Sequence, residues 1–163
     1  MRRAERQVRD EKEIRYILDR CQVCRLAMVE EGIPYILPLS FGYCLEQGRL
    51  QLYFHSAREG RKIRLLRQTP RVGFEMDCGH SLLKGDTACS HSFAYASVIG
   101  QGRAAFLEDP LQKASGLQII MRQQTGQADW PELYEQDLSK VAVFTVTADR
   151  FSVKANRPNF AQQ

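Results

Sequence analysis

The chain has 163 residues, 44% of them hydrophobic and 26% charged, which suits one soluble-type globular domain with a single core. Its 23 Lys and Arg against 19 Asp and Glu leave a net charge of +4, and no apolar run approaches the roughly 18 to 20 residues that span a bilayer. The start, Met1-Arg2-Arg3-Ala4-Glu5-Arg6, is charged and runs into no apolar stretch, so a secretory signal is not expected and a cytoplasmic location is.

The first predicted element is a helix over about 10–21. Asp10 can cap it, Glu13 sits in the capping-box position, and Ile14, Ile17, Leu18 and Cys21 recur on one face. Strands follow at Cys24–Val29 and Pro34–Tyr43, joined through Glu30-Glu31-Gly32, a hairpin-sized turn with its glycine. A second hairpin turns at Gln47-Gly48 into Leu50–His55, where Leu50, Leu52 and Phe54 alternate with Gln51, Tyr53 and His55. Gly60 to Arg67 reads as a short helix that packs Ile63 and Leu66 inward and ends at Thr69-Pro70.

Arg71–Asp77 is a strand, and Cys78 to Ser90 reads as a polar loop. Tyr95–Leu107 is a long strand in which Gly100 and Gly102 predict a bulge or bend. Asp109-Pro110 caps a helix to about Gln124 that buries Ala114, Leu117, Ile120 and Met121. Trp130, before Pro131, reads as a packing or interface residue. Strands at Val141–Thr147 and Phe151–Lys154 close the list, ahead of a tail over 155–163. Many strands on short turns, with few helices and no βαβ alternation, predict a mainly β, α+β fold. The expected architecture is a single-domain, six-stranded antiparallel split barrel with peripheral helices. Small barrels fill their interiors with side chains, so a ligand would sit on the outside, shared with a second subunit.

Five cysteines occur, and Cys21-Gln22-Val23-Cys24 is a C-x-x-C. A redox C-x-x-C opens a helix whose N-terminus lowers the thiol pKa, whereas this one closes a helix and opens a strand. Cys78, His80, Cys89 and His91 offer further metal donors, but their spacing matches no standard zinc module. The reading favours structural thiols and no metal.

The most informative segment is Tyr53-Phe54-His55-Ser56-Ala57-Arg58-Glu59-Gly60-Arg61-Lys62-Ile63. A strand ends in a hydroxyl residue, a glycine follows, and two cations open a helix. Ser56 can donate a hydrogen bond to a phosphate monoester, Arg61 can grip two oxygens, and Lys62 adds a point charge beside free helix-start N–H groups. A basic, solvated surface helix explains the same residues equally well.

The order of motifs breaks that tie. Tyr35–Tyr43, Leu52–Ala57 with Gly60-Arg61-Lys62, Pro70–Glu75 and Ser97–Ala104 resemble the pyridoxamine 5′-phosphate oxidase-like, FMN-binding split-barrel superfamily. The chain looks most similar there to the nitroimidazole-resistance (Nim) type flavoproteins, over about Arg2 to Lys154. The resemblance implies FMN as cofactor, with its phosphate held where Phe54-His55-Ser56 ends a strand and by Arg61 and Lys62. It implies the isoalloxazine ring against Pro38, Leu39 and Ser40, and Ser97 as a contact from the neighbouring subunit of a homodimer. The tail Asn156–Gln163 does not reproduce the substrate-holding arginine and histidine of the namesake oxidase, which argues against that oxidase activity.

The expected function is therefore an FMN-dependent reductase of small oxidised molecules such as nitroaromatics, quinones or flavins. Non-catalytic FMN binding or redox sensing is an alternative. Haem binding is another, with His55, His80 or His91 as axial ligand. His55 could donate a proton to substrate or serve as a structural histidine beside the phosphate, and the second reading is favoured. Nucleic acid and membrane are not expected partners.

Overall fold

The computed structural model describes residues 4–127, 130 and 135–156. The tail over 157–163 and Pro131 lie outside the described residues.

A two-residue strand, β1 (Gln7–Val8), precedes α1 (Glu11–Arg20). Asp10 caps α1 by accepting a hydrogen bond from the Glu13 amide at 2.9 Å, and Ile14, Ile17 and Leu18 are its buried face. Next come β2 (Val23–Glu30) and β3 (Ile33–Ser40), then β4 (Gly42–Glu46) and β5 (Arg49–Ala57). Both predicted hairpins are present. Their turns place Glu31 and Gly32 at φ 52° and 81°, and Gln47 and Gly48 at 50° and 74°, the doubly left-handed turn that matches strand twist.

The run predicted as one strand over 34–43 is two. Phe41 leaves the sheet to become fully buried, and β4 restarts at Gly42. A side chain on Gly42 would stand 2.5 Å from the Ile119 carbonyl oxygen, because the helix above rests directly on the backbone there.

After β5 come α2 (Arg61–Gln68), β6 (Arg71–Leu83) and β7 (Ser92–Leu107). Strand β6 runs further than its sequence suggests. Gly79 at φ 70° lets it bulge between Cys78 and Ser81 and resume pairing, with Leu82 opposite Phe93. Of the predicted polar loop only residues 84–90 remain, holding a short 3-10 turn at Ala88–Ser90. Helices α3 (Pro110–Thr125) and α4 (Glu135–Leu138) lead to β8 (Val141–Asn156). Helix α3 buries Gly116 and Ile120, while Ala114, Leu117 and Met121 are half-buried beside them. The two strands predicted in the last segment are one, bulged at Asp149, and the paired register shifts at Gln101/Gly102. Gly102 serves that bend, for a Cβ there would stand 2.2 Å from the Thr147 carbonyl oxygen.

All pairings are antiparallel, in the order β3-β2-β6-β7-β8-β5-β4, with β1 on β8. Among the described residues the sheet therefore has eight strands rather than six, and it is not a closed barrel: β3 and β4 are its ends. The mainly β, α+β class holds. The count rose because Phe41 divides one predicted strand and β1 adds to the edge of β8. One core fills the inside, with Phe41, Phe54, Phe144, Leu26, Met76 and Val98 at 2% exposure or less. Strand β3 approaches β5 without a ladder between them, and that opening carries the site.

Candidate functional site

Period-two alternation decides which β5 side chains can meet a ligand. Leu52, Phe54 and Ser56 point into the core, and His55 points out. Phe54 is fully buried and stacks on Phe144 at 5.2 Å, so its ring is a core element. Ser56 is 8% exposed, and its hydroxyl donates to the Ala57 carbonyl at 2.7 Å. As placed, it offers nothing to a phosphate.

His55 and Lys62 form the chemically receptive pair. Burial, and then the Lys62 charge, hold the His55 imidazole below the ordinary histidine range. Burial alone lowers the Lys62 ammonium, and among the described residues no carboxylate forms an ion pair with it. A half-buried cation without a counterion is electrostatically costly, and an incoming anion relieves it. Next to it, α2 begins at Gly60, whose φ of 126° suits glycine and whose position brings no side-chain cap. The first-turn N–H groups of α2 thus receive no side-chain acceptor from the capping position. Lys62 and this helix start fit a phosphate group.

Arg61 is differently engaged. Its Nε and Nη2 both lie 2.6 Å from Glu30 Oε2, and its Cζ lies 4.1 Å from the centre of the Tyr35 ring. Arg64 donates to the other oxygen of Glu30. Sequence reading missed Glu30 and Tyr35. Both flank the β2–β3 turn, and only the packing of α2 on β2 brings them to Arg61.

The ring-side candidates lie elsewhere on β3. Pro38 and Ser40 face outward, opposite Arg25 and Val23, and Leu39 turns inward against the core. Tyr35 and Ser40 are five residues apart, about 17 Å at strand rise. Ser97, half-buried on β7, pairs with Asp77 and Lys154. It stands three strands from β3, about 14 Å across the sheet, so one subunit does not bring it to Ser40.

The other histidines lie apart from this corner. His80 Nε2 is 2.7 Å from Asp77 Oδ2, and Asp77 Oδ1 accepts from Arg25 at 2.5 Å. His91 Nδ1 is 2.8 Å from the Thr87 carbonyl oxygen. The C-x-x-C thiols are both fully buried and free. A hydrogen bond with Cys78, then burial, pushes the Cys21 thiol up, and burial pushes Cys24 up to about 12. Among the described residues no group of three or more His, Cys, Asp or Glu could hold a metal ion, and no helix is long and apolar enough to cross a membrane. Trp130 is half-buried, and its indole N–H is shielded from solvent with no hydrogen-bond partner among the described residues.

Fold and site together define a small, open-barrel α+β protein with a cationic corner on its rim. The pyridoxamine 5′-phosphate oxidase family model matches residues 10–155, and the chain belongs to that family. No curated protein matches it. Among solved structures it is similar to a protein from Bacteroides thetaiotaomicron described as a candidate 5-nitroimidazole antibiotic resistance protein. That pair shares 29% identity and a TM-score of 0.78, over 93% of this chain and 90% of the other. The flavocytochrome Anf3 of Azotobacter vinelandii shares the fold at 19% identity and TM-score 0.77, over 96% and 72%. An FAD- and haem-binding protein of Mycobacterium smegmatis does so at 17% identity and 0.79, over 93% and 74%.

Proposed function

We propose that the chain is an FMN-binding flavoprotein that reduces small oxidised molecules, of the nitroaromatic, quinone or flavin kind, and that it works as a cytoplasmic homodimer with flavin at the subunit interface. The observation that carries the reading is Lys62, a half-buried cation with no carboxylate partner among the described residues, set beside His55 and an uncapped helix start. The family and the similar structures support a flavin, since two of those relatives are named for flavin binding or as a flavocytochrome.

Length supports a mononucleotide. The cationic corner and Ser40 stand at opposite ends of β3, so a phosphate at one and a flat ring at the other need an elongated ligand. Lys62 and the first α2 amides would hold the phosphate, with Arg61 recruited to it. The backbone edge of β3 near Pro38 and Ser40 would face the ring. When bound, the flavin supplies hydride and electron transfer between a reduced nicotinamide and the acceptor. His55, whose imidazole burial and the Lys62 charge hold below the ordinary histidine range, would orient the phosphate end.

Dimerisation is supported by apolar exposure on the outer face: Val29, Ile36 and Ile99 are each more than half exposed there. Ser97 on the same face would reach the flavin only from a second subunit. Haem finds less support, because His80 and His91 are engaged with Asp77 and Thr87.

The test is direct. Purified protein mixed with FMN should quench flavin fluorescence with micromolar affinity, and the complex should oxidise NADH or NADPH through many turnovers with a nitroaromatic or quinone. Absence of flavin binding sinks the reading. Binding without multiple turnover leaves a sensor or carrier instead.

A further inference from the structure

The cationic corner contains its own anion. Glu30 ends β2, one residue before the turn into β3, and pairs with Ile33 across it. Its carboxylate takes both Arg61 nitrogens on one oxygen and Arg64 on the other. The glutamate side chain is 20% exposed, against 52% and 53% for the two arginines. Glu30 is therefore the fixed member, anchored in a paired strand. Arg61 is the more exposed partner, a long side chain resting on the Tyr35 ring.

We propose that Glu30 is a specificity-determining residue of the phosphate corner: it occupies Arg61 in the free protein, so that a terminal phosphate must compete with a carboxylate for the arginine and the preference for phosphorylated over uncharged flavin is narrowed. This rests on the flavin mononucleotide reading above and adds the selection rule for that site. Arg61, Lys62 and Arg64 against Glu30 leave the corner a net charge of +2. A monoester dianion matches that excess. An uncharged flavin makes no claim on the guanidinium, so Glu30 leaves its affinity untouched.

The consequence is an affinity cost that falls on anionic ligands alone. Glu30→Gln keeps the shape and a carbonyl acceptor and removes the charge. It releases Arg61 and ends the repulsion between carboxylate and phosphate. Exposed ion pairs are weak, so the gain is modest: about three- to tenfold tighter binding of FMN.

The experiment titrates FMN, riboflavin and inorganic phosphate into the full chain and into Glu30→Gln, and repeats FMN and inorganic phosphate in an Arg61→Ala background. The expected pattern is tighter FMN and phosphate, unchanged riboflavin, and a clearly smaller gain from Glu30→Gln once Arg61 is alanine, because only the lost repulsion then remains; an equal gain in that background overturns the proposal. Unchanged or weaker FMN and phosphate binding in Glu30→Gln overturns the proposal, because Glu30 would then be positioning Arg61 for the ligand. Should FMN bind neither protein while inorganic phosphate tightens, the flavin reading fails and the role of Glu30 stands. Should FMN bind both proteins equally, the reverse holds.

Discussion

The ring of Phe54 stacks on that of Phe144 at 5.2 Å, with the planes only 19° apart, and both residues are fully buried. One residue further along β5, His55 points outward, its imidazole partly covered. Adjacent residues of the most informative sequence segment thus have opposite duties, one structural and one facing the proposed ligand.

Truncating Phe54 should accordingly act on stability. Phe54→Ala removes a stacked ring from the core and leaves a cavity, at about 3–5 kcal/mol. Denaturant unfolding should show this loss, with Phe54→Leu keeping most of the stability. A Phe54→Ala protein that unfolded like the parent but had lost flavin would make the ring a ligand contact.

Lys62 should matter more to FMN than Arg61. Loss of one charge-assisted contact from Lys62→Ala is expected to weaken FMN by about 1.5–3 kcal/mol. Arg61→Ala should lose less, because Arg61 must first leave Glu30. The same lysine holds the His55 pKa down, second to burial. NMR titration of His55 should therefore give a value below the ordinary histidine range, rising in Lys62→Ala and on FMN binding. The sign of the linkage follows. A depressed histidine pKa means the unfolded chain takes up the proton first, so stability falls as pH drops from the ordinary histidine value to the folded one. Equal losses from the two substitutions, or a His55 pKa unmoved in Lys62→Ala, would contradict this arrangement.

The five thiols should divide by access. Cys89 is exposed and Cys44 half-exposed, whereas Cys21, Cys24 and Cys78 are buried. Burial raises the pKa of Cys24 to about 12, and contact with Cys78 followed by burial raises that of Cys21. Alkylation followed by mass spectrometry should label Cys89 first and Cys44 next, with the other three labelled only on unfolding. Early labelling at Cys21 or Cys24 would return the C-x-x-C to the list of reactive sites.

Much of the fold was legible because local chemistry and tertiary structure agree. Asp10 caps the helix that its spacing predicts, and both hairpins turn where a glycine permits left-handed backbone. The misreadings arise where long-range packing decides. Phe41 breaks a strand because the core takes its ring, and Cys78–Ser90 is half strand because β7 supplies a partner that its polar composition does not announce. The strand end at His55 and the helix start at Lys62 were legible in the segment itself. The inward turn of Ser56 could be read from the alternation of Leu52 and Phe54. Glu30 could not, since it is 31 residues from Arg61 in sequence.

The open end at β3 has a further consequence, for self-association. Its pairing with β2 runs without a register shift from Ile33 to Ser40, so Pro34 and Pro38 do not interrupt the inner ladder. Their missing N–H groups belong to the free rim, where they leave only Ile36 and Ser40 able to donate. A neighbouring strand therefore finds too few donors to zip onto an edge that is otherwise long and apolar. These two imino acids act as guards against fibrous growth, and they let the protein keep its cleft open without presenting a template for aggregation.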